Sequence, residues 1–132
     1  MEYAEYSFSA QSVPNAAETN AVLSEVVNDV HGMTFDGTDT ITFEEGLKAV
    51  ITLELYSVAN ATGIREVYFR FGADHIADFS IPAAVAPYPT VMTTTAVINV
   101  TSFPTICNFV IFQDSGGLLD CSGHLRILRV LH

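Results

Sequence analysis

From Leu47 to Leu55 every second residue is apolar. Leu47, Ala49, Ile51, Leu53 and Leu55 take one side, and Lys48, Thr52, Glu54 and Tyr56 take the other. A repeat of two gathers the apolar set on one face of a strand, whereas a helix would scatter it around its axis. The alternation returns from Ile64 to Phe71, where Val67, Phe69 and Phe71 point inward and Glu66, Tyr68 and Arg70 point outward. It returns again near the start, where Tyr6, Phe8 and Ala10 alternate with Ser7 and Ser9. Strands of this kind must bury their apolar face against a second layer.

Turn residues separate the runs. Asp36-Gly37-Thr38-Asp39 lies between Thr34-Phe35 and Ile41-Thr42-Phe43, a hairpin signal. Asn60 to Gly63, Gly72 to Asp74, the prolines 82, 87 and 89, and Asp114 to Gly117 mark further turns and connections. Ala77 to Ile81, Val91 to Val100, Ile106 to Phe112 and Leu125 to Leu131 supply further strands. Asn15 to Asn28, with Ala16, Ala17, Val22, Leu23, Val26 and Val27, suits a short helix or a strand. Strands about 8–12 residues apart with turn signals between them predict an antiparallel sandwich or barrel.

The 132 residues suit one domain with a modest core. Five Lys and Arg against fifteen Asp and Glu give a formal net charge of −10, which excludes a phosphate-binding, nucleic-acid role. An uninterrupted apolar run of about 18 residues, as a membrane span needs, does not occur. Met1-Glu2-Tyr3-Ala4-Glu5 lacks the basic start and apolar core of an export signal. The expectation is synthesis in a host cytoplasm, or a mature form numbered from its own Met. Cys107 and Cys121 are too few for a disulfide scaffold, and Cys107 alternates with Phe109 and Ile111 as a buried thiol would.

The charge is unevenly spread. Residues 1–47 hold nine acids and no Lys or Arg, whereas residues 79–113 hold no charged side chain at all. An ordinary solvated surface carries Lys and Glu. The long neutral stretch therefore shows only Thr, Ser and Asn to water, or is buried on both faces, one of them against another subunit.

Signals for chemistry are sparse. The four histidines contain no His-x-His pair for a metal-binding strand. Asp74, His75 and Asp78 form a polar cluster or a turn, and Asp36, Asp39, Glu44 and Glu45 form a candidate calcium cluster or simply hairpin chemistry. No Gly-x-Ser-x-Gly elbow and no glycine-rich phosphate loop occurs. The expectation is a non-enzyme without metal or cofactor. Tyr3, Tyr56, Tyr68 and Tyr88 could stack on sugar or anchor a protein partner.

Two stretches carry a family resemblance. Gly32-Met33-Thr34-Phe35-Asp36-Gly37-Thr38-Asp39-Thr40-Ile41-Thr42-Phe43-Glu44-Glu45-Gly46, leading into the strand from Leu47, resembles the early part of the C1q/TNF-like jelly roll. Gly123-His124-Leu125-Arg126-Ile127-Leu128-Arg129-Val130-Leu131 resembles that fold's closing strand. The resemblance spans roughly residues 30–132. It implies an all-β, antiparallel jelly-roll sandwich of about eight strands, with at most one short helix near the N-terminus. It also implies a homotrimer around a three-fold axis. Jelly rolls of this kind occur in small bacteriophage virion proteins, as capsid decoration (cement) proteins and fibre heads.

The expected function is a homotrimeric decoration protein on the capsid surface of a virion. It would bind the major capsid protein and itself, with no nucleic-acid or membrane partner. Residues 1–20 are expected as an N-terminal arm or edge strand, and 21–132 as one jelly-roll domain. Glu2, Tyr3, Glu5 and Tyr6 are the expected partner contacts. Tyr56, Tyr68, Tyr88, Val97, Phe109 and Phe112 are the expected trimer interface. The alternative is a receptor- or glycan-binding head of a fibre or adhesin, carried by the loops Asp36–Asp39, Gly72–His75 and Asp114–Gly123 at one end.

Overall fold

The computed structural model describes residues 2–130, which form eleven strands and no helix. In chain order they are β1 (Tyr3–Val13), β2 (Thr19–Asn20), β3 (Ser24–Asn28), β4 (Met33–Phe35), β5 (Ile41–Phe43) and β6 (Leu47–Ser57). There follow β7 (Ile64–Phe71), β8 (Asp74–Pro82), β9 (Thr90–Val100), β10 (Thr105–Gln113) and β11 (Leu119–Arg129). One sheet runs β3-β1-β11-β6-β9 and the other β4-β5-β10-β7-β8, with β2 added to β10. Every pairing is antiparallel.

The core lies between the two sheets and follows the period-two pattern. Ala49, Ile51, Leu53 and Leu55 of β6 face Val67 and Phe69 of β7 and Phe109 and Ile111 of β10 across the sandwich, all buried. Leu125 and Ile127 of β11, with Tyr6 and Phe8 of β1, extend the same layer. Both cysteines are buried and free; burial pushes the Cys107 thiol up to about 12 and Cys121 to about 11.

Residues 15–28, which suit a helix or a strand, take the strand and contain no helix. They hold β2 and β3 and cross between the sheets, because Ala16 and Ala21 donate backbone hydrogen bonds to Gln113 and Phe109 while β3 pairs with β1. Nor is the N-terminal stretch an arm or an edge. β1 lies between β3 and β11, and its alternate residues Ala4, Tyr6 and Phe8 are buried. Burial of one face, together with pairing on both sides, makes it an interior strand.

The β4–β5 hairpin forms where the Asp-Gly signal lies. The Asp36 carboxylate accepts hydrogen bonds from the backbone N–H groups of Thr38, Asp39 and Thr40, which holds its carboxyl below the usual range. Gly37 takes φ +88°, a conformation glycine adopts without a Cβ clash.

Candidate assembly surface

Four strands present a regular outward face. Their register lines up Tyr3, Leu128, Val50 and Val97 in one row across β1, β11, β6 and β9. The next row is Glu5, Arg126, Thr52 and Thr95, and the next is Ser7, His124, Glu54 and Thr93. A last row joins Ser122, Tyr56 and Val91. Two apolar rows thus flank a polar island.

The island largely neutralises itself. The Tyr3 hydroxyl donates to Glu5 Oε1 at 2.7 Å, Arg126 Nε lies 3.5 Å from the same oxygen, and Arg126 also donates to Glu54. His124 Nδ1 is 3.3 Å from Glu5 Oε2. The Tyr3 hydroxyl above all, then Arg126 and His124, holds the Glu5 carboxyl below its ordinary range. Beside the island, a shallow depression of about 220 Å³ is bounded by Glu54, Tyr56, Val91, Thr93 and His124.

The sheet edges differ in a way that singles out β9. An exposed edge offers unpaired N–H and C=O groups, and proteins blunt such edges with short strands, bulges, charge or proline. β3 has 5 residues, an irregular register against β1, and Glu25. β4 has only 3 residues. β8 carries Asp74, Asp78 and Pro82, and bulges where Ala77 takes φ +56°. β9 has none of these devices: its 11 residues run in unbroken register with β6, and none is charged. Val91 and Val97 on it are each 63% exposed.

The expected interface residues divide among four places. Tyr56 and Val97 lie on this face, and both are exposed. Tyr88 is exposed in the proline-rich connection between β8 and β9. Phe112 is half-buried on the side of the second sheet away from the core, and Tyr68 on the same side is corrected to a buried residue, covered by His75, on which it stacks with ring centroids 3.9 Å apart. Phe109 is corrected to the core: its ring meets Phe8 edge-on at 5.4 Å, because β10 is central in its sheet and sealed on that side by the other layer.

Among the expected partner contacts, Tyr6 is likewise a core residue, packed against Phe35 at 4.9 Å. Glu2 accepts from the His31 backbone N–H at 2.6 Å and from Arg129 at 3.2 Å, and Glu5 and Tyr3 belong to the island. Val50, Leu128, Val91, Thr93 and Thr95 share the face although the sequence reading did not select them. For the β9 members the available signal was the outward half of the alternation inside the charge-free stretch.

The loops expected at one end do not gather. Gly72 donates to Ile106 at the start of β10, whereas Asp114 follows the end of that strand. Nine residues of extended chain, roughly 30 Å, separate them. Asp39 lies alongside, where its carbonyl accepts from Asn108 at 3.1 Å. The acids near the hairpin also serve separate partners, since Glu45 binds His31 and Arg129 while Asp36 binds its own turn. Among the described residues no three His, Cys, Asp or Glu side chains are placed to share a metal ion.

No protein-family model and no curated protein sequence matches the chain. Solved structures do. PRD1 vertex protein P5 superposes with a TM-score of 0.73 over 98% of this chain and 97% of its own, at 14% identity. The globular domain of zebrafish complement 1qA gives 0.61 over 100% and 99%, at 6% identity. Eiger TNF from S. frugiperda gives 0.61 over 99% and 94%, at 7% identity. The chain has the C1q/TNF-like jelly-roll fold. The likeness runs over nearly the whole of this chain and of those domains, at identities too low to carry more than the fold.

Proposed function

We propose that this jelly roll is a homotrimeric structural protein of a phage virion, which decorates and cements an assembled head. The observation that carries the reading is β9, a long uncharged edge beside a sheet face whose central charges, Glu5, Glu54 and Arg126, are paired with one another. Copies of a chain at −10 repel one another wherever their acids meet. They can approach along this neutral edge and face, where Val97, Val50, Leu128 and Tyr56 offer apolar area. The full-length likeness to a vertex protein favours a virion setting.

The contact with the head falls to surface outside that face. Arg70, Arg126 and Arg129 are engaged by carboxylates and Arg65 is buried, which leaves Lys48 as the exposed base without an ion pair among the described residues. The remaining surface is acidic and suits a basic patch on coat subunits, so binding should weaken as salt rises. A trimer that binds only the assembled lattice stabilises it by mass action, and three weak contacts reinforce one another.

Light scattering tests the trimer: a particle of three times the 14.3 kDa chain mass is expected. Immunogold microscopy of source virions tests the role. Regular label over heads is expected. Label restricted to tail or fibre tips, or no labelled particle, overturns it.

A further inference from the structure

A cleft lies away from the assembly face, at the end of the sandwich where the β7–β8 turn meets the β9–β10 connection. Its volume is about 520 Å³, within the ~300–1,000 Å³ of small-ligand clefts. Phe71, Pro104 and Ile106 give it an apolar side, and Asp74, Thr101 and Ser102 a polar one.

Three features describe what could occupy it. The apolar side is partly formed by Ile106 at the start of β10, 57% exposed, and Phe103, 55% exposed, stands next to the lining residues Ser102 and Pro104 on the β9–β10 connection. Neither contributes to the core, and together they leave apolar area open to solvent at the cleft. The polar side chains of Asp74, Thr101 and Ser102 make no hydrogen bond among the described residues, so a carboxylate and two hydroxyls stand free. The lining contains no Lys, Arg or His.

The walls are also held in place. Gly72 N–H donates to the Ile106 carbonyl at 3.0 Å, which ties the turn to the start of β10. The Thr105 hydroxyl donates to the Ser102 carbonyl, which closes the connection on itself. Phe71 reaches from the cleft to the core ring of Phe43, 6.3 Å between centroids. A ligand here would meet groups already positioned, and little ordering entropy would oppose it.

We propose that this cleft binds a neutral saccharide. A pyranose offers a C–H face for Phe71, Pro104 and Ile106 and a ring of hydroxyls for Asp74, Thr101 and Ser102. The carboxylate accepts from sugar hydroxyls as a charge-assisted partner. The absence of any cation in the lining, in a chain at −10, disfavours phosphate, sulfated sugars and sialic acid. The site is independent of the trimer and of the virion role, since it draws on neither β9 nor the rows beside it.

The test is a chemical-shift titration of the whole protein with methyl glycosides of galactose, glucose and N-acetylglucosamine, and with sialyllactose. The expected result is millimolar binding of at least one neutral glycoside. Shifts should be confined to residues 71–74 and 101–106, and sialyllactose should add nothing at these residues. Asp74→Ala should weaken binding about tenfold, and Ser102→Ala should weaken it less. Both sites are exposed, and an unchanged amide spectrum checks that each variant is folded. No neutral glycoside binding at millimolar concentration, shifts centred elsewhere, preference for sialyllactose, or unchanged affinity in Asp74→Ala would each overturn the assignment.

Discussion

The Phe8 ring fills the space that a side chain at Gly123 would need. A Cβ placed on Gly123 would lie 2.8 Å from two Phe8 ring carbons and would also collide with the Glu54 backbone carbonyl. β11 can cross β1 and β6 at this point only because residue 123 has no side chain. Ala10, in the stretch where the β1–β11 register shifts, takes φ +51° immediately downstream. Gly123→Ala should therefore destabilise the fold by about 1–3 kcal/mol through overpacking, or by more where the backbone must move. A urea unfolding series reads this as a lower midpoint. An unchanged midpoint would mean that β1 and β11 separate freely here.

Arg65 is a fully buried cation without a carboxylate in hydrogen-bond contact. Its guanidinium donates to Ser57 Oγ and to the carbonyls of Asn60, Thr62 and Ile64, which binds the β6–β7 turn together. Burial lowers its pKa. Arg65→Met leaves those carbonyls unpaired at about 1–3 kcal/mol each where water cannot replace the donor. The expected result is a lower melting temperature and faster amide exchange at residues 58–64. A variant that melts with the wild type would show that the turn holds without its cation.

Glu66 and Asp78 place two carboxyl groups together on β7 and β8. Hydrogen bonding to Asp78, then burial and charge, raises the Glu66 pKa to about 7. A carboxyl raised in the folded state adds stability that is fully present below its ordinary value near 4.5 and is lost as pH climbs through about 7. Glu66→Gln should keep the hydrogen bond and remove the repulsion. The expected outcome is a melting temperature above wild type at pH 8 and close to it at pH 4.5. Equal profiles for the two proteins would overturn the raised Glu66 pKa.

Val97 stands at the end of the apolar row and is 63% exposed on the uncharged edge. Val97→Glu adds a charge where neighbouring copies are proposed to meet, while the isolated chain has no buried group to disturb there. Sedimentation should find a folded monomer in place of a trimer. A trimer of wild-type stability would move the contact to another face.

The strands themselves were legible because alternation is a local property. Leu47 to Leu55 announces a half-buried strand from its own residues, and Asp36-Gly37 announces a turn. The segment from residue 15 to 28 was not decided locally, since Val-rich stretches suit either geometry. What makes it two short strands is pairing with partners far along the chain, β10 for one and β1 for the other. The proposed saccharide cleft was half legible: the Gly72–His75 loop stood out as a glycan candidate, but its other wall did not, since Asp74 and Thr101 are 27 positions apart and meet only in the folded sandwich.

By itself the sequence determined the strand class, the turn sites, the neutrality of residues 79–113 and the acidity of residues 1–47, because each follows from residue type and period. The tertiary structure decided which outward faces adjoin one another. Phe109 and Tyr6 went to the core, β1 became an interior strand, and Tyr56 and Val97 came to share a surface that Tyr68 does not. Sheet order fixes these outcomes. It is set by long-range pairing and by packing of one layer on the other, and neither leaves a trace in any single stretch of chain.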